Sequence, residues 1–122
     1  MIIGGLIVAG ALGAVLRYLV DRLVQRRMGG DFPLGILVVN LTGSLALGFL
    51  TGAALHHAVS APWLTVAGTG LIGAYTTFSA FTFDTVRLAE NDQWASSVAN
   101  VSVSIVLGIG AAAAGLALGA LT

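Results

Sequence analysis

The chain lacks cysteine and lysine, and charged side chains are scarce along its 122 residues. Without cysteine it has no disulfide, no thiolate metal site and no thiol nucleophile. Five arginines balance five acids, so there is no broad basic surface of the kind that binds nucleic-acid phosphates. These absences exclude a thiol enzyme and argue against a nucleic-acid partner.

Hydrophobic residues make up 57% of the chain, charged residues only 8%, and the mean hydropathy is +1.00. This composition is typical of a membrane protein and not of a soluble domain. A spanning helix needs about 20 mostly apolar residues. Four such stretches fill nearly the whole chain and predict a single transmembrane domain over residues 1–122, with spans at 2–24, 34–55, 63–86 and 95–121.

The arginines are distributed unevenly about these predicted spans. Arg22, Arg26, Arg27 and Arg87 all lie on the side of the first and third loops. Short cytoplasmic loops carry an excess of basic residues. This bias predicts that both termini lie outside.

A four-span bundle of this size has little interior in which to enclose a pathway, so we expect an oligomer. Small residues let helices approach closely in lipid, and Gly48 with Gly52 and Gly115 with Gly119 have the Gly-x-x-x-Gly spacing. Chance is the alternative, because the chain has 17 glycines. The first pair is the stronger candidate for a helix contact.

Two predicted spans carry stripes of polar side chains. Asn40 and Ser44 share one face of the second span, and Ser97, Asn100 and Ser104 share one face of the fourth. If they face one another they form a polar track; the alternative is that they only hydrogen-bond between helices, worth about 1 kcal/mol or less per contact. Asn40 is the better candidate for function, because its amide has two donors and two acceptors to satisfy.

The third predicted span contains the sequence GAYTTFSAF, which starts at Gly73. Glycine and the β-branched Thr76 and Thr77 are poor helix formers in succession, so a non-helical turn is expected there. Carbonyls freed at such a turn can bind a hard cation; an unbroken helix is the alternative. Phe78 and Phe81, three residues apart, could offer positive ring edges to an anion, although such a pair is usually part of a core.

No catalytic set is present, since the acids lie at span ends or in loops without a paired-carboxylate or metal-ligand spacing. We therefore expect no enzyme activity. Asp84 and Arg87 are predicted to pair, and His56 and His57 to form a solvated loop pair. Arg17 is the one basic residue well inside a span, where it either snorkels to the interface or attracts anions at a vestibule.

Three stretches together resemble the Fluc/CrcB family of small fluoride channels. They are GALGAVLRY at residues 10–18, PLGILVVNLTGS at 33–44 and GAYTTFSAF at 73–81. Their order and spacing and the four-span length agree over most of the chain. Each stretch alone is a weak signal, but the combination is specific.

The resemblance implies an all-α membrane protein with four transmembrane helices, the third broken near its middle. It implies an antiparallel, inverted dimer in the cell (inner or plasma) membrane, formed with itself or with an oppositely oriented relative. Two pathways along the protomer contact would export cytoplasmic fluoride by passive electrodiffusion. A structural sodium ion would lie at the centre of the dimer.

The resemblance also assigns residues to these roles. The backbone carbonyls of Gly73 and Thr76 from both subunits would hold the sodium ion. Arg17 resembles a basic residue near the aqueous vestibule. The residues implied along the fluoride pathway are Asn40, as an amide donor, Phe78 and Phe81, as ring edges, Ser104, as part of a hydroxyl track, and Thr77.

The chain also departs from the family pattern. Ile36 stands where threonine is common, Tyr75 where phenylalanine is usual and Asn100 where tyrosine is frequent. The arginine bias is unexpected for a protein that inserts in both orientations. One alternative is a small multidrug exporter, which needs a carboxylate buried in its first span, where this chain has only Asp21 near the end. Another is a membrane scaffold that transports nothing.

Overall fold

The computed structural model describes residues 1–56 and 58–122. The chain forms helices along almost all of this length. They are α1 Ile2–Met28, α2 Leu34–Leu55, α3 Ala61–Leu64, a π-helical segment Thr65–Ile72, α4 Gly73–Tyr75, α5 Phe78–Glu90 and α6 Trp94–Gly119. Among the described residues, α1, α2 and α6 are the helices long and apolar enough to cross a membrane unbroken. The elements from α3 to α5 form the third span, so the predicted helical fold with an interrupted third span is confirmed.

Helix α1 continues beyond its predicted end at residue 24. Polar residues such as Gln25 are good helix formers, so the helix runs on to Met28 after the apolar stretch has ended. It stops at Gly29 and Gly30, whose φ angles of 67° and 78° are accessible to glycine at little cost. The Gln25 side chain then holds the turn, because its Oε1 accepts a hydrogen bond from the N–H of Gly35 at 3.0 Å.

The two Gly-x-x-x-Gly motifs pack against each other within one chain, where α2 meets α6. A Cβ atom added to Gly48, Gly52, Gly115 or Gly119 would overlap a backbone carbonyl of the facing helix. All four residues are buried. The prediction of a helix contact is therefore confirmed for both pairs. The packing of α2 against α6 is the most extensive helix contact among the described residues.

Helix α1 packs against the π-helical segment of the third span. A Cβ added to Gly13 would overlap the carbonyl of Leu71, and one added to Gly70 would lie 3.0 Å from the Cβ of Ala9. The wider π turn was not predicted from the sequence, which indicated only weak helix formers. This packing holds the third span close to α1 up to the point where the span breaks.

The first and third loops lie side by side at one end of the bundle. The Arg87 side chain donates a hydrogen bond to the backbone carbonyl of Asp31 at 3.1 Å. Gln93 donates to the Asp31 carboxylate at 3.2 Å. The predicted pair of Asp84 and Arg87 is present, with 3.7 Å between Oδ1 and Nε.

His56, one member of the predicted histidine pair, lies at the opposite end of the bundle. His56 is exposed, and its Nδ1 lies 3.0 Å from the carbonyl oxygen of Gly52. The other member of the pair, His57, lies outside the described residues.

Candidate functional site

The third span is interrupted at two consecutive threonines. Thr76 and Thr77 have extended backbone conformations, with φ and ψ of −80° and 156° and of −147° and 124°. The Thr77 hydroxyl caps the next helix, since its Oγ1 accepts a hydrogen bond from the N–H of Ala80 at 3.1 Å. The Thr76 hydroxyl donates back to the carbonyl of Ile72 at 3.0 Å. The break lies at the predicted position.

The side chain of Asn40 holds the break to α2 through two hydrogen bonds. Its Nδ2 donates to the carbonyl of Thr77 at 3.0 Å, and its Oδ1 accepts from the N–H of Thr77 at 2.9 Å. A side-chain amide therefore satisfies both backbone groups of an extended residue at membrane depth, where unpaired groups are costly. One N–H of the Asn40 amide remains, and no described residue engages it.

These side-chain contacts leave two backbone carbonyls without their helical hydrogen-bond donors. In an uninterrupted α-helix the N–H of Thr77 would donate to the carbonyl of Gly73, and that of Ala80 to the carbonyl of Thr76. Here the first N–H donates to Asn40 and the second to the Thr77 hydroxyl. The carbonyls of Gly73 and Thr76 thus lose their regular helical donors, because side chains take those donors.

A cavity of about 390 Å³ lies beside the break. Its walls are mostly apolar, with a few uncharged polar groups and no ionisable side chain among the described residues. The polar members of its lining are Asn40, Ser44, Thr76, Thr77 and Ser104. Such a cavity suits a small solute bound by neutral donors.

Two aromatic rings line the same cavity on α5. The ring centroids of Phe78 and Phe81 are 5.8 Å apart, and the ring planes are inclined at 48°. Phe78 is 76% exposed in the single chain although it lines the cavity. The chain alone therefore leaves this wall of the cavity uncovered.

Comparison with known proteins decides the family. The family model described as "CrcB-like protein, Camphor Resistance (CrcB)" matches residues 5–116. The chain belongs to the CrcB family. It is 50% identical over 111 residues to "Fluoride-specific ion channel FluC 2" of Mycobacterium tuberculosis (strain CDC 1551 / Oshkosh), covering 91% of this chain and 85% of that protein.

Two further relatives carry similar names. "Fluoride-specific ion channel FluC 1" of Streptomyces avermitilis is 46% identical over 112 residues, which are 91% of this chain and 90% of that protein. "Fluoride-specific ion channel FluC" of Rhizobium meliloti is 46% identical over 110 residues, which are 89% and 88% of the two chains. The family is one of channels, so the prediction that this chain is not an enzyme is confirmed.

In this CrcB-family chain most of the residues predicted for a site surround one cavity. Those that line it are Asn40, Gly73, Thr76, Thr77, Phe78, Phe81 and Ser104. Arg17 is not part of this lining. It lies on α1, where its side chain is half-buried. Its predicted vestibule role and the ion contacts of the other residues stay predictions.

The polar stripe of the fourth span divides into two parts. Ser97 donates to the carbonyl of Thr85 at 2.8 Å, and Asn100 donates to the Thr85 hydroxyl at 2.8 Å. Both donors are buried, with exposed fractions of 6% and 2%. They tie α6 to α5, as the alternative reading of the stripe expected, whereas Ser104 lines the cavity.

A second, charged cavity of about 280 Å³ lies near the first and third loops. Asp21, Asp31, Asp84 and Arg87 contribute to its lining, together with the buried Ile36. Ile36 lies one helical turn before Asn40, and Asp84 one turn after Phe81. The two cavities therefore follow one another along α2 and α5.

The sequence did not identify every residue that shapes the site. The hydroxyl of Tyr75 lies 2.9 Å from that of Thr42, and neither residue was predicted to contact the other. Gly43 is also needed beside the break, because an added Cβ there would overlap the Thr76 methyl group. Thr42 and Gly43 both lie in the segment NLTG of α2, which begins with Asn40. Their partners, Tyr75 and Thr76, lie more than thirty positions later in the chain, so these contacts could not be predicted from sequence position.

Proposed function

We propose that this protein is a fluoride-selective channel that lets cytoplasmic fluoride leave the cell by passive electrodiffusion. The observation that carries the proposal is the cavity shared by the Asn40 amide, the ring pair and the Ser104 hydroxyl, which offers donors without a full charge. The names of the relatives support fluoride as the solute. The apolar helices support a location in a membrane, and export from the cytoplasm requires that this be the cell membrane.

The chemistry of the cavity fits a small, tightly hydrated anion. Such an ion gives up water only if other donors replace it, and hydrogen bonds to an ionised partner are stronger than those between neutral groups. A fixed arginine or lysine in the lining would hold the ion, whereas amide, hydroxyl and ring-edge contacts are each weak enough to release it. The free N–H of Asn40 would donate to the ion, and Phe78 and Phe81 would present their ring edges.

We further propose that two oppositely oriented copies form the working unit, with a pathway along each side of their contact. The 76% exposure of Phe78 supports this, because a second copy would cover the ring and close the cavity. The arginines near the first and third loops favour one orientation. An oppositely oriented relative is therefore the alternative partner.

A structural sodium ion is the third part of the proposal. Neutral carbonyl oxygens suit a hard cation, and the carbonyls of Gly73 and Thr76 lose their helical donors to Asn40 and Thr77. The residues present therefore fit such an ion. Bound there, sodium would supply positive charge at the break, and the same carbonyls of a second copy would complete its ligands.

The test is efflux from liposomes that contain the purified chain, measured with a fluoride electrode and, in parallel, with a chloride electrode. We expect rapid fluoride release and little chloride release. Equal rates for the two ions would contradict selectivity. A fluoride flux that requires a proton gradient would favour the proton-coupled exporter, and no flux for either ion, alone or with an oppositely biased relative, would favour the scaffold.

A further inference from the structure

A hydrogen bond between two hydroxyl groups ties the N-terminal side of the break to α2. The Oγ1 of Thr42 lies 2.9 Å from the hydroxyl of Tyr75, 2.7 Å from the carbonyl oxygen of Val38 and 3.1 Å from that of Val39. Carbonyls only accept hydrogen bonds, and a threonine hydroxyl has a single proton to donate. Thr42 therefore donates to α2 itself and accepts from Tyr75.

This bond is placed immediately before the interruption. Tyr75 is the last residue of α4, and Thr76, the first extended residue, follows it directly. On the other side of Thr76, the backbone of Thr77 is held by Asn40. Thr76 is thus flanked by two residues that are each bonded to α2.

The residue between these two anchors, Thr76, packs its side chain against Gly43 of α2. The Thr76 methyl group occupies the space where a Cβ of Gly43 would be. The backbone carbonyl of Thr76 is one of the two that lose their helical hydrogen-bond donors at the break. The direction of that carbonyl therefore depends on how firmly Tyr75 and Thr77 are fixed.

We propose that Tyr75 and Thr42 are positioning residues that set the direction of the Thr76 carbonyl and thereby the affinity of the break for its cation. Neither side chain lines the cavity beside the break, so they act on sodium through the backbone and do not contact fluoride. The inference rests on the proposed function and deepens it. It also gives a structural role to Tyr75, which departs from the family pattern by one hydroxyl.

The experiment measures two quantities over a series of sodium concentrations, with an impermeant organic cation as replacement: fluoride efflux from liposomes, and the midpoint of thermal unfolding of the purified protein, which bound sodium should raise. The variants are Tyr75→Phe, Thr42→Val and the double variant, each of which removes a hydroxyl without a large change in shape. Losing one interhelical bond should raise the half-saturating sodium concentration roughly threefold, while flux at saturating sodium stays within about twofold of wild type. The double variant should shift no further than the single ones, because both remove the same bond.

Two matched controls are available in the chain. Thr51 also donates to the carbonyl four residues before it, Leu47, at 2.8 Å, but the structure gives it no side-chain partner among the described residues. Thr51→Val should therefore leave the sodium dependence unchanged. Tyr18→Phe removes an exposed hydroxyl from α1 and should do the same. A third variant, Thr42→Ser, keeps the hydroxyl that bonds Tyr75 and should retain the wild-type sodium dependence.

The outcomes separate this inference from the proposed function. Unchanged sodium dependence in Tyr75→Phe, beside a wild type that conducts fluoride and responds to sodium, overturns the inference alone. A wild type that conducts without responding to sodium overturns the inference together with the cation site. A wild type that releases no fluoride defeats the proposed function. If Thr42→Val does not assemble, Tyr75→Phe decides the question.

Discussion

Asn40 holds the break in this structure and, under the proposed function, also donates to the ion, and two substitutions can separate these roles. Its Oδ1 and one N–H fix the backbone of Thr77, and its other N–H has no partner among the described residues. Alanine at this position removes both roles. Asn40→Asp, as a neutral carboxylic acid, keeps an oxygen that accepts from Thr77 and an O–H that donates to it, but has no donor left for the ion.

The neutral form of the substituted carboxyl is the one that fits the site. An ionised oxygen in the place of Nδ2 would face the Thr77 carbonyl oxygen, and a charge at membrane depth costs about 3 kcal/mol or more. The neutral acid avoids both penalties. Asn40→Asp should therefore fold and assemble like the wild type.

The two variants are expected to differ in stability. Hydrogen bonds between helices in a membrane contribute about 0.6 kcal/mol each and at most about 1.7 kcal/mol. Two bonds to Thr77 thus stabilise the break by about 1 to 3 kcal/mol. Thermal unfolding in detergent should show this loss in Asn40→Ala and little of it in Asn40→Asp, with Asn91→Ala, an exposed amide after α5, as the control.

Both variants are expected to lose fluoride flux. A hydrogen bond to a charged partner is worth about 1.5 to 3 kcal/mol, which corresponds to about a 10- to 100-fold slower efflux if it forms at the rate-limiting position. Wild-type flux in Asn40→Asp would refute the role of Asn40 as an ion donor. A variant Asn40→Asp that is as unstable as Asn40→Ala would refute its role in holding the break.

Three further substitutions test the account. Gly48→Ala should destabilise the bundle by about 1 to 3 kcal/mol, because the new methyl group overlaps a carbonyl of α6. Gly110→Ala is the control, since there is open space around that position. Equal midpoints of thermal unfolding for the two variants would contradict the packing argument. Thr77→Val removes a helix cap worth about 1 kcal/mol, so it should lower the midpoint of thermal unfolding and raise the half-saturating sodium concentration. Thr82→Val is the control, because the Thr82 hydroxyl only donates back along its own helix. If the two variants behave alike, the cap is unimportant. Ile36→Thr adds a hydroxyl to the charged cavity; one more weak hydrogen-bond donor there should raise fluoride efflux about threefold, whereas unchanged or slower efflux would show that this position does not limit access.

The break could be predicted from the sequence because its causes are local. Glycine followed by Thr76 and Thr77 weakens a helix through backbone entropy and restricted side-chain rotation, and both effects depend only on neighbouring residues. The two Gly-x-x-x-Gly spacings were equally readable. The helices that they contact could not be predicted, because the spacing identifies one face of a helix but not the neighbouring helix that packs on that face.

The division of the polar stripe could not be predicted for the same reason. Ser97, Asn100 and Ser104 share one face of α6, but the first two meet Thr85 and the third meets the cavity. That difference depends on how α5 crosses α6. The hydrogen bond between Thr42 and Tyr75 likewise joins two helices. The sequence around either residue does not indicate that the other is its partner.

The central claim is that neutral donors beside the broken span let fluoride through in preference to a larger halide. The most direct measurement is the reversal potential of the purified protein in a planar bilayer with unequal fluoride and equal chloride on the two sides. We predict a current that reverses near the equilibrium potential of fluoride. A current that reverses near zero, as expected for a pore dominated by chloride, would contradict the account.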